Sequence, residues 1–226
     1  MEKNYCEKCQ FKSEAAKNLN DEQLIELENG CCLTHYKPGE IVIKQDTLST
    51  SVAYIKKGLI KIHARSYSTE KTLRIVKSPS YLCLPSNFCD KYNHFSVTAI
   101  EDTEVCFIEL SLFKSFIFSN SNYAYQIILE ISKNELNLFD SLVNHMLKNV
   151  KGRIANVLLN FSKNIYQSST FNLPITRQDI GDLASTTREN VSRFLSELQN
   201  EKIINIDGKK IEILNEKFLT KICEKG

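Results

Sequence analysis

The 226 residues predict an α+β chain made of an N-terminal all-β segment, one long helix, and a C-terminal pair of short helices followed by a hairpin. Three observations carry this reading. Between Cys32 and Ile108 short runs alternate apolar and polar residues, the period of half-buried strands. From Ser121 to Lys151 there is neither Pro nor Gly, and apolar residues recur at three- and four-residue spacing. Beyond Ile175, two capped amphipathic runs are joined by Ser185-Thr186, and the chain then alternates about Asp207-Gly208.

Bulk properties exclude several classes. Apolar residues make up 42%, enough for a core. No stretch approaches the roughly 20 apolar residues of a membrane span. The opening Met1-Glu-Lys-Asn-Tyr-Cys6 lacks the apolar block of a secretory signal, so a soluble cytoplasmic protein is expected. Net charge is +2, but Val150 to Gly226 holds twelve Lys and Arg against nine Asp and Glu, and the rest seventeen against eighteen. The small positive excess lies where a nucleic-acid binder would carry it. Eight Cys in such a chain are expected as thiols or metal ligands rather than disulfides.

Taken in order, Leu19-Asn-Asp-Glu-Gln-Leu24-Ile25-Glu-Leu27 reads as a short amphipathic helix. Asn20 is its N-cap, Gln23 closes a capping box, and Gly30 is its stop. Strands follow at Glu40–Ile43, Val52–Ile55, Leu59–Ile62, Leu73–Val76, Phe95–Ile100 and Val105–Ile108, punctuated by Lys37-Pro-Gly39 and Lys57-Gly58. Many short strands at this spacing imply a sandwich or barrel. The segment from Ser121 to Lys151 then makes a helix of about eight turns with two apolar seams. Ile128, Ile131, Leu138 and Leu142 lie along one, interrupted by Glu135. Leu129, Leu136, Phe139, Val143, Met146 and Val150 lie along the other. Two seams need two partner surfaces: one its own chain, the other a second copy, with burial inside a monomer as the alternative. Arg153–Phe161 is a further helix, and Tyr166–Asn172 a polar loop. The expected organisation is residues 1–120 for the β domain with its N-terminal helix, 121–151 for the dimerisation helix, and 152–226 for the C-terminal domain.

The most informative stretch is Ile175-Thr-Arg-Gln-Asp-Ile-Gly-Asp-Leu-Ala-Ser-Thr-Thr-Arg-Glu-Asn-Val-Ser-Arg-Phe-Leu-Ser-Glu-Leu198. Thr176 and Asp179 form a capping box opening a helix with Ile180, Leu183 and Ala184 inward. Thr187 caps a second helix reaching about Asn200. On it Val191, Phe194, Leu195 and Leu198 repeat at i, i+3, i+4, i+7 as a core stripe. The opposite stripe is Glu189, Ser192, Arg193 and Ser196, with Arg188 at its start. Arg bonds guanine edges bidentately and Glu accepts from cytosine N4, so this face suits a DNA major groove. The hairpin Ile204–Ile213 would be a wing. Two helices about a tight turn also occur in many other folds, where Arg188 and Arg193 would form surface ion pairs.

Thr187-Arg188-Glu189-Asn190-Val191-Ser192-Arg193, preceded by Ile175-Thr-Arg-Gln-Asp-Ile-Gly181, resembles the CRP/FNR family, that is, the catabolite activator protein and the anaerobic fumarate-nitrate regulator. The resemblance covers most of the chain. It implies an N-terminal double-stranded β-helix of the cyclic-nucleotide-binding type, a long dimerisation helix and a C-terminal winged helix-turn-helix. It implies a homodimeric, cytoplasmic transcription regulator binding a two-fold symmetric site on double-stranded DNA, with RNA polymerase as a partner. By resemblance Arg188, Glu189, Ser192 and Arg193 would read bases, and Thr176, Arg177, Gln178 and Thr187 would contact phosphates.

Departures from the family are equally informative. The cyclic-nucleotide cassette, Gly-Glu-Leu-Gly-Leu-Phe in the family, here reads Cys83-Leu84-Pro85-Ser86-Asn87-Phe88. The family's phosphate-binding Arg falls in Asn93-His94-Phe95-Ser96-Val97, which has none, and Lys91 and His94 sit off register. A buried cyclic phosphate without its cation costs several kcal/mol, so cAMP is not expected as the effector. Cys6-x-x-Cys9 and Cys106 resemble iron–sulfur ligands of the anaerobic regulator, but the third N-terminal position is Ala15. Four thiolates are the usual requirement, so an iron–sulfur cluster, zinc and a thiol redox switch stand beside a purely structural role. Cys31 or Cys32 would substitute only if the chain folded back differently, and Cys83, Cys89 and Cys223 read as packing residues. His35, His63, His94 and His145 are scattered. With no Ser/His/Asp set and no Gly-rich phosphate loop, an enzyme is not expected.

Overall fold

The computed structural model describes residues 9–67, 69–89 and 91–226. They fall into two compact units. The first ends at Leu136, and the second comprises Asn137–Gly226 with Lys71–Leu73.

In the first unit a single 3-10 turn, Ala16–Asn18, leads into helix α1, Asp21–Asn29. The Asn20 side chain accepts from Gln23 N and the Gln23 side chain answers to Asn20 N, the expected capping box. Eight strands follow: β1 Cys31–Tyr36, β2 Ile41–Ile43, β3 Ser51–Lys57, β4 Leu59–Ser66, β5 Thr69–Lys77, β6 Ser80–Leu82, β7 Ser96–Ala99 and β8 Thr103–Glu109. A short helix α2, Leu84–Cys89, stands between β6 and β7, and α3, Leu110–Ser119, follows β8. The strands form two four-stranded sheets, ordered β1-β8-β3-β6 and β2-β7-β4-β5.

Alternation along β3 explains how two cores are built from one sheet. Ala53 and Ile55 point to the space between the sheets, with Ile60, Leu82, Val97, Ala99 and Val105. Val52 and Tyr54 point to the outer face, with Ile108 and Tyr81, under Leu24 and Leu27 of α1 and Phe113 and Phe116 of α3. Gly58 turns β3 into β4 at φ +110°; a Cβ there would lie 2.7 Å from Asp102 O, so only glycine fits.

Helix α4 runs Ser121–Leu147. It is shorter than the expected span to Lys151, because Asn149 caps the next helix by accepting from Gly152 N at 3.0 Å. Tyr123 and Ile127 are its buried residues, packed in the outer core with half-buried Ile131. The second sequence seam is therefore not the face α4 turns to its own core: Leu136, Phe139, Val143 and Met146 are exposed.

The second unit holds α5 Val150–Asn160, a π-helical turn Phe161–Tyr166, β9 Thr170–Asn172, α6 Arg177–Leu183, α7 Arg188–Asn200, β10 Ile204–Asp207, β11 Lys210–Ile213 and α8 Glu216–Lys225. The expected polar loop at 166–172 is partly a strand: Phe171 is buried and pairs with Ile211, so one apolar side chain suffices to dock it. The sheet order is β10-β11-β9. Residues of α5, α6 and α7, among them Ile154, Leu158, Ile180, Phe194 and Leu198, are buried.

Candidate nucleic-acid interface

The geometry starts from two caps. Thr176 Oγ1 accepts from Asp179 N at 3.1 Å, and Asp179 Oδ2 accepts from Thr176 N at 2.8 Å. This reciprocal pair fixes the start of α6. Thr187 Oγ1 accepts from Asn190 N at 3.3 Å and fixes the start of α7. Between them the chain turns back within a few residues. Thr186 N donates to Gly181 O at 2.8 Å, and Ser185 adopts φ +47°. Gly181 makes this possible: a Cβ there would lie 2.9 Å from Thr186 O.

The core stripe of α7 is buried as its spacing requires: Val191, Phe194, Leu195 and Leu198. Phe194 also lies under Lys151 Nζ, 5.4 Å from the ring centre. The opposite face leaves Arg188, Glu189 and Arg193 exposed and Ser192 half-buried. Thr176, Arg177, Gln178 and Thr187 are exposed along the openings of the two helices. Arg193 Nη2 donates to Asn190 Oδ1 at 2.9 Å, and Asn190 Nδ2 donates to Thr186 Oγ1 at 3.0 Å. Asn190, which the sequence reading left unassigned, thus holds the guanidinium against the helix start; its i, i+3 spacing to Arg193 is the signal that was available. The Glu189 carboxyl is held below the usual carboxylate range by its own backbone N–H, by Thr187 and by the nearby Arg188 charge. This face is an acceptor flanked by guanidinium donors, which is chemistry for base edges and phosphates.

Of the expected dimer-helix positions, Ile128, Leu138 and Leu142 are exposed, and Ile131 packs partly on its own core. Exposure continues through Leu136, Phe139, Val143, Met146 and Leu147. Such a run of large apolar side chains is unusual on a surface that stays wet.

The cassette positions turn inward. Leu84, Ser86 and Asn87 are each only 2% exposed. Asn87 Nδ2 donates to Ser49 Oγ at 2.7 Å and to Ser51 O at 2.9 Å. Leu84, at the position of the family's glutamate, joins the outer core. Cys83, at the position of the first glycine, takes φ +51°.

Cys6 lies outside the described residues. Cys9 and Cys106 line one small apolar pocket together with Cys31. Cys31 arrives there because β1 pairs with β8, setting Cys31 against Ile108 and Leu33 against Cys106, so both thiols share a sheet face. Of the two cysteines that the sequence allowed as substitutes if the chain folded back, it is Cys31 that lines this pocket. Among the described residues, however, no three ligating side chains are spaced to hold a metal ion, so these thiols do not by themselves fit a cluster site. Cys89 is exposed rather than packed, whereas Cys223 is buried.

Two family models match the chain in sequence. Residues 33–120 match the cyclic nucleotide-binding domain, and residues 152–222 match the Crp-like helix-turn-helix domain. The transcriptional activator protein Anr of Pseudomonas protegens is 25% identical over 183 residues, spanning 79% of this chain and 75% of that protein. The nitrogen fixation regulation protein FixK of Bradyrhizobium diazoefficiens is 24% identical over 220 residues, 93% of this chain and 90% of that protein. The chain belongs to the CRP/FNR family. The crystal structure of FixK2 from Bradyrhizobium japonicum shares the fold, with a TM-score of 0.75 at 21% identity over 85% of this chain and 96% of that one. As a family member the chain is a transcriptional regulator with a helix-turn-helix DNA-binding domain. No helix among the described residues is long and apolar enough to cross a membrane.

Proposed function

We propose that this CRP/FNR regulator binds a two-fold symmetric DNA site as a homodimer, reading bases with Arg188, Glu189, Ser192 and Arg193. Thr176, Arg177, Gln178 and Thr187 anchor the phosphates on either side. The observation that carries the reading is the polar face of α7: two guanidinium groups and an ionised carboxylate stand outward from the first two turns while the opposite stripe is sealed in the core. A helix presented this way enters the major groove by its N-terminal half. The exposed apolar length of α4 supplies the surface for the second copy, which sets the two reading helices about one DNA turn, roughly 34 Å, apart.

The effector of this regulator is not cAMP bound in the family manner. Leu84 occupies the ribose-binding position as a core residue, and Asn87 spends its amide on Ser49 and Ser51. A cyclic phosphate there would be desolvated without a paired cation.

Selection from a random-sequence duplex pool, followed by gel shift, tests the DNA reading. The selected site is expected to be palindromic, with half-sites one turn apart. Arg193→Ala is expected to lose about 1–3 kcal/mol of base discrimination per half-site while its thermal unfolding matches wild type. Selected sequences without two-fold symmetry, or an Arg193→Ala protein that discriminates as well as wild type, would refute it.

A further inference from the structure

His145 lies near the end of α4, and both of its ring nitrogens face carbonyl oxygens. Nδ1 is 2.8 Å from Ser141 O, one turn back in α4, and Nε2 is 3.1 Å from Leu183 O, the last residue of α6. A carbonyl oxygen only accepts. A neutral imidazole has one N–H and one lone pair, so it can satisfy one of these oxygens and turns its lone pair on the other. The imidazolium donates to both.

The surroundings explain why a cation belongs there. The last carbonyls of a helix lack intrahelical donors and form the negative end of its dipole. Here two such ends meet. Arg153 on α5 bridges them, with Nη1 donating to Lys148 O at 2.6 Å just beyond α4, and Nε donating to Ala184 O at 2.7 Å at the cap of α6. His145 also links the two helices: its Nε2 faces Leu183 O at the end of α6, while its Nδ1 faces Ser141 O within α4 itself. The other charged groups nearby are engaged or differently placed. On α4, Asp140 lines the same groove, and Lys148 Nζ turns to Cys223 Sγ at 3.1 Å. In the turn after α5, Lys163 pairs with Glu216 at 2.9 Å. On α6, Asp182 accepts from Gln178 Nε2 at 2.9 Å.

We propose that His145 is a positioning residue for DNA binding: its protonated ring ties the end of α4 to the helix-turn-helix. Proton uptake then favours the arrangement in which α6 is held at the end of α4, and affinity for DNA rises as pH falls. When neutral, the ring gives up one of its two bonds: either Leu183 O loses its donor, or the Nδ1 lone pair is set against Ser141 O and the ring position that holds the tie is disfavoured. The inference rests on the DNA-binding reading above.

Fluorescence anisotropy of the full-length protein on its selected duplex, at fixed ionic strength from pH 6 to pH 8, tests this. Wild type is expected to bind about five- to tenfold more tightly at pH 6 than at pH 8, beyond any change shown by His145→Gln. Glutamine can donate from its single amide nitrogen to one of the two carbonyls and cannot titrate, so that variant should hold nearly constant affinity near the wild-type value at pH 8. A second measurement is independent of DNA: ring-nitrogen shifts in 15N-labelled protein are expected to report both His145 nitrogens protonated at pH 6. Superimposable pH profiles for wild type and His145→Gln, or a single protonated ring nitrogen at pH 6, would overturn the proposal. Failure of wild type to bind any duplex at any pH would overturn the DNA-binding reading with it, and is distinct from binding that is merely insensitive to pH.

Discussion

Glu189, proposed above to read bases, also serves its own helix. Its carboxylate sits in the first turn of α7, where the helix dipole and free N–H groups favour negative charge. Its own backbone N–H and Thr187 hold it below the usual carboxylate range, so it is ionised throughout the neutral range, the form that the proposed acceptance from a cytosine amine needs. Glu189→Gln keeps the shape and loses the charge. The expected outcome is a flattened preference at one base pair in each half-site, read by competition among duplexes with single substitutions, with little change in binding to random DNA. Cysteine chemistry is decided at the same scale. Burial pushes the Cys83 thiol up to about 11, so at pH 8 it is almost entirely protonated and a poor nucleophile. Cys32 and Cys89 are exposed. With a limiting alkylating reagent at pH 8, mass spectrometry is expected to find Cys32 and Cys89 modified first and Cys83 only on unfolding. Early labelling of Cys83 would mean that α2 opens in solution.

The helix-turn-helix depends on a close backbone approach that only Gly181 allows. A Cβ there meets Thr186 O at 2.9 Å and Thr187 C at 3.3 Å, both backbone atoms that cannot swing aside. Gly181→Val is therefore expected to pry α6 from α7, at a cost of about 1–3 kcal/mol in thermal unfolding, and to weaken DNA binding more than it weakens the fold. What could be read in the sequence at this scale was what is local. The Asn20–Gln23 and Thr176–Asp179 boxes, the Thr187 cap, the apolar stripe of α7 and the hairpin at Gly208 all lie within a few residues of their partners, and the structure contains each of them. What was missed is non-local or short. β1 carries Cys-Cys-Leu-Thr-His-Tyr without clean alternation, and exists because β8 pairs with it from seventy residues away. β6 and β9 have three residues each, too few to show a period. The residues that α4 buries, Tyr123 and Ile127, precede the seams that periodicity picked out. The site was legible in its side-chain types, but Asn190, Arg153 and His145 were not, because their work is hydrogen bonding across turns and between helix ends rather than a motif.

At the scale of the whole molecule, the question is what covers the outer length of α4. Leu138, Phe139, Leu142, Val143, Met146 and Leu147 are all at least 49% exposed, and a fully buried side chain of this kind contributes about 1.5–3 kcal/mol. On the proposed homodimer, a second copy of the same helix would bury them in a self-complementary pair, as two-fold symmetry requires. Leu138→Glu combined with Leu142→Glu places like charges at that seam without touching Tyr123 or Ile127, so each chain should fold as before. Sedimentation is expected to show a monomer for this double variant and a dimer for wild type. The consequence for DNA follows from counterions. Each phosphate contact steepens the dependence of log K on log salt by about 0.9, and a monomer engages one half-site with half the contacts. The salt slope of the variant is therefore expected to be about half that of wild type, with its affinity for the two-fold site reduced to that for a single half-site. A variant that sediments as a monomer yet keeps the full slope would place all the phosphate contacts on one chain and remove the symmetric arrangement.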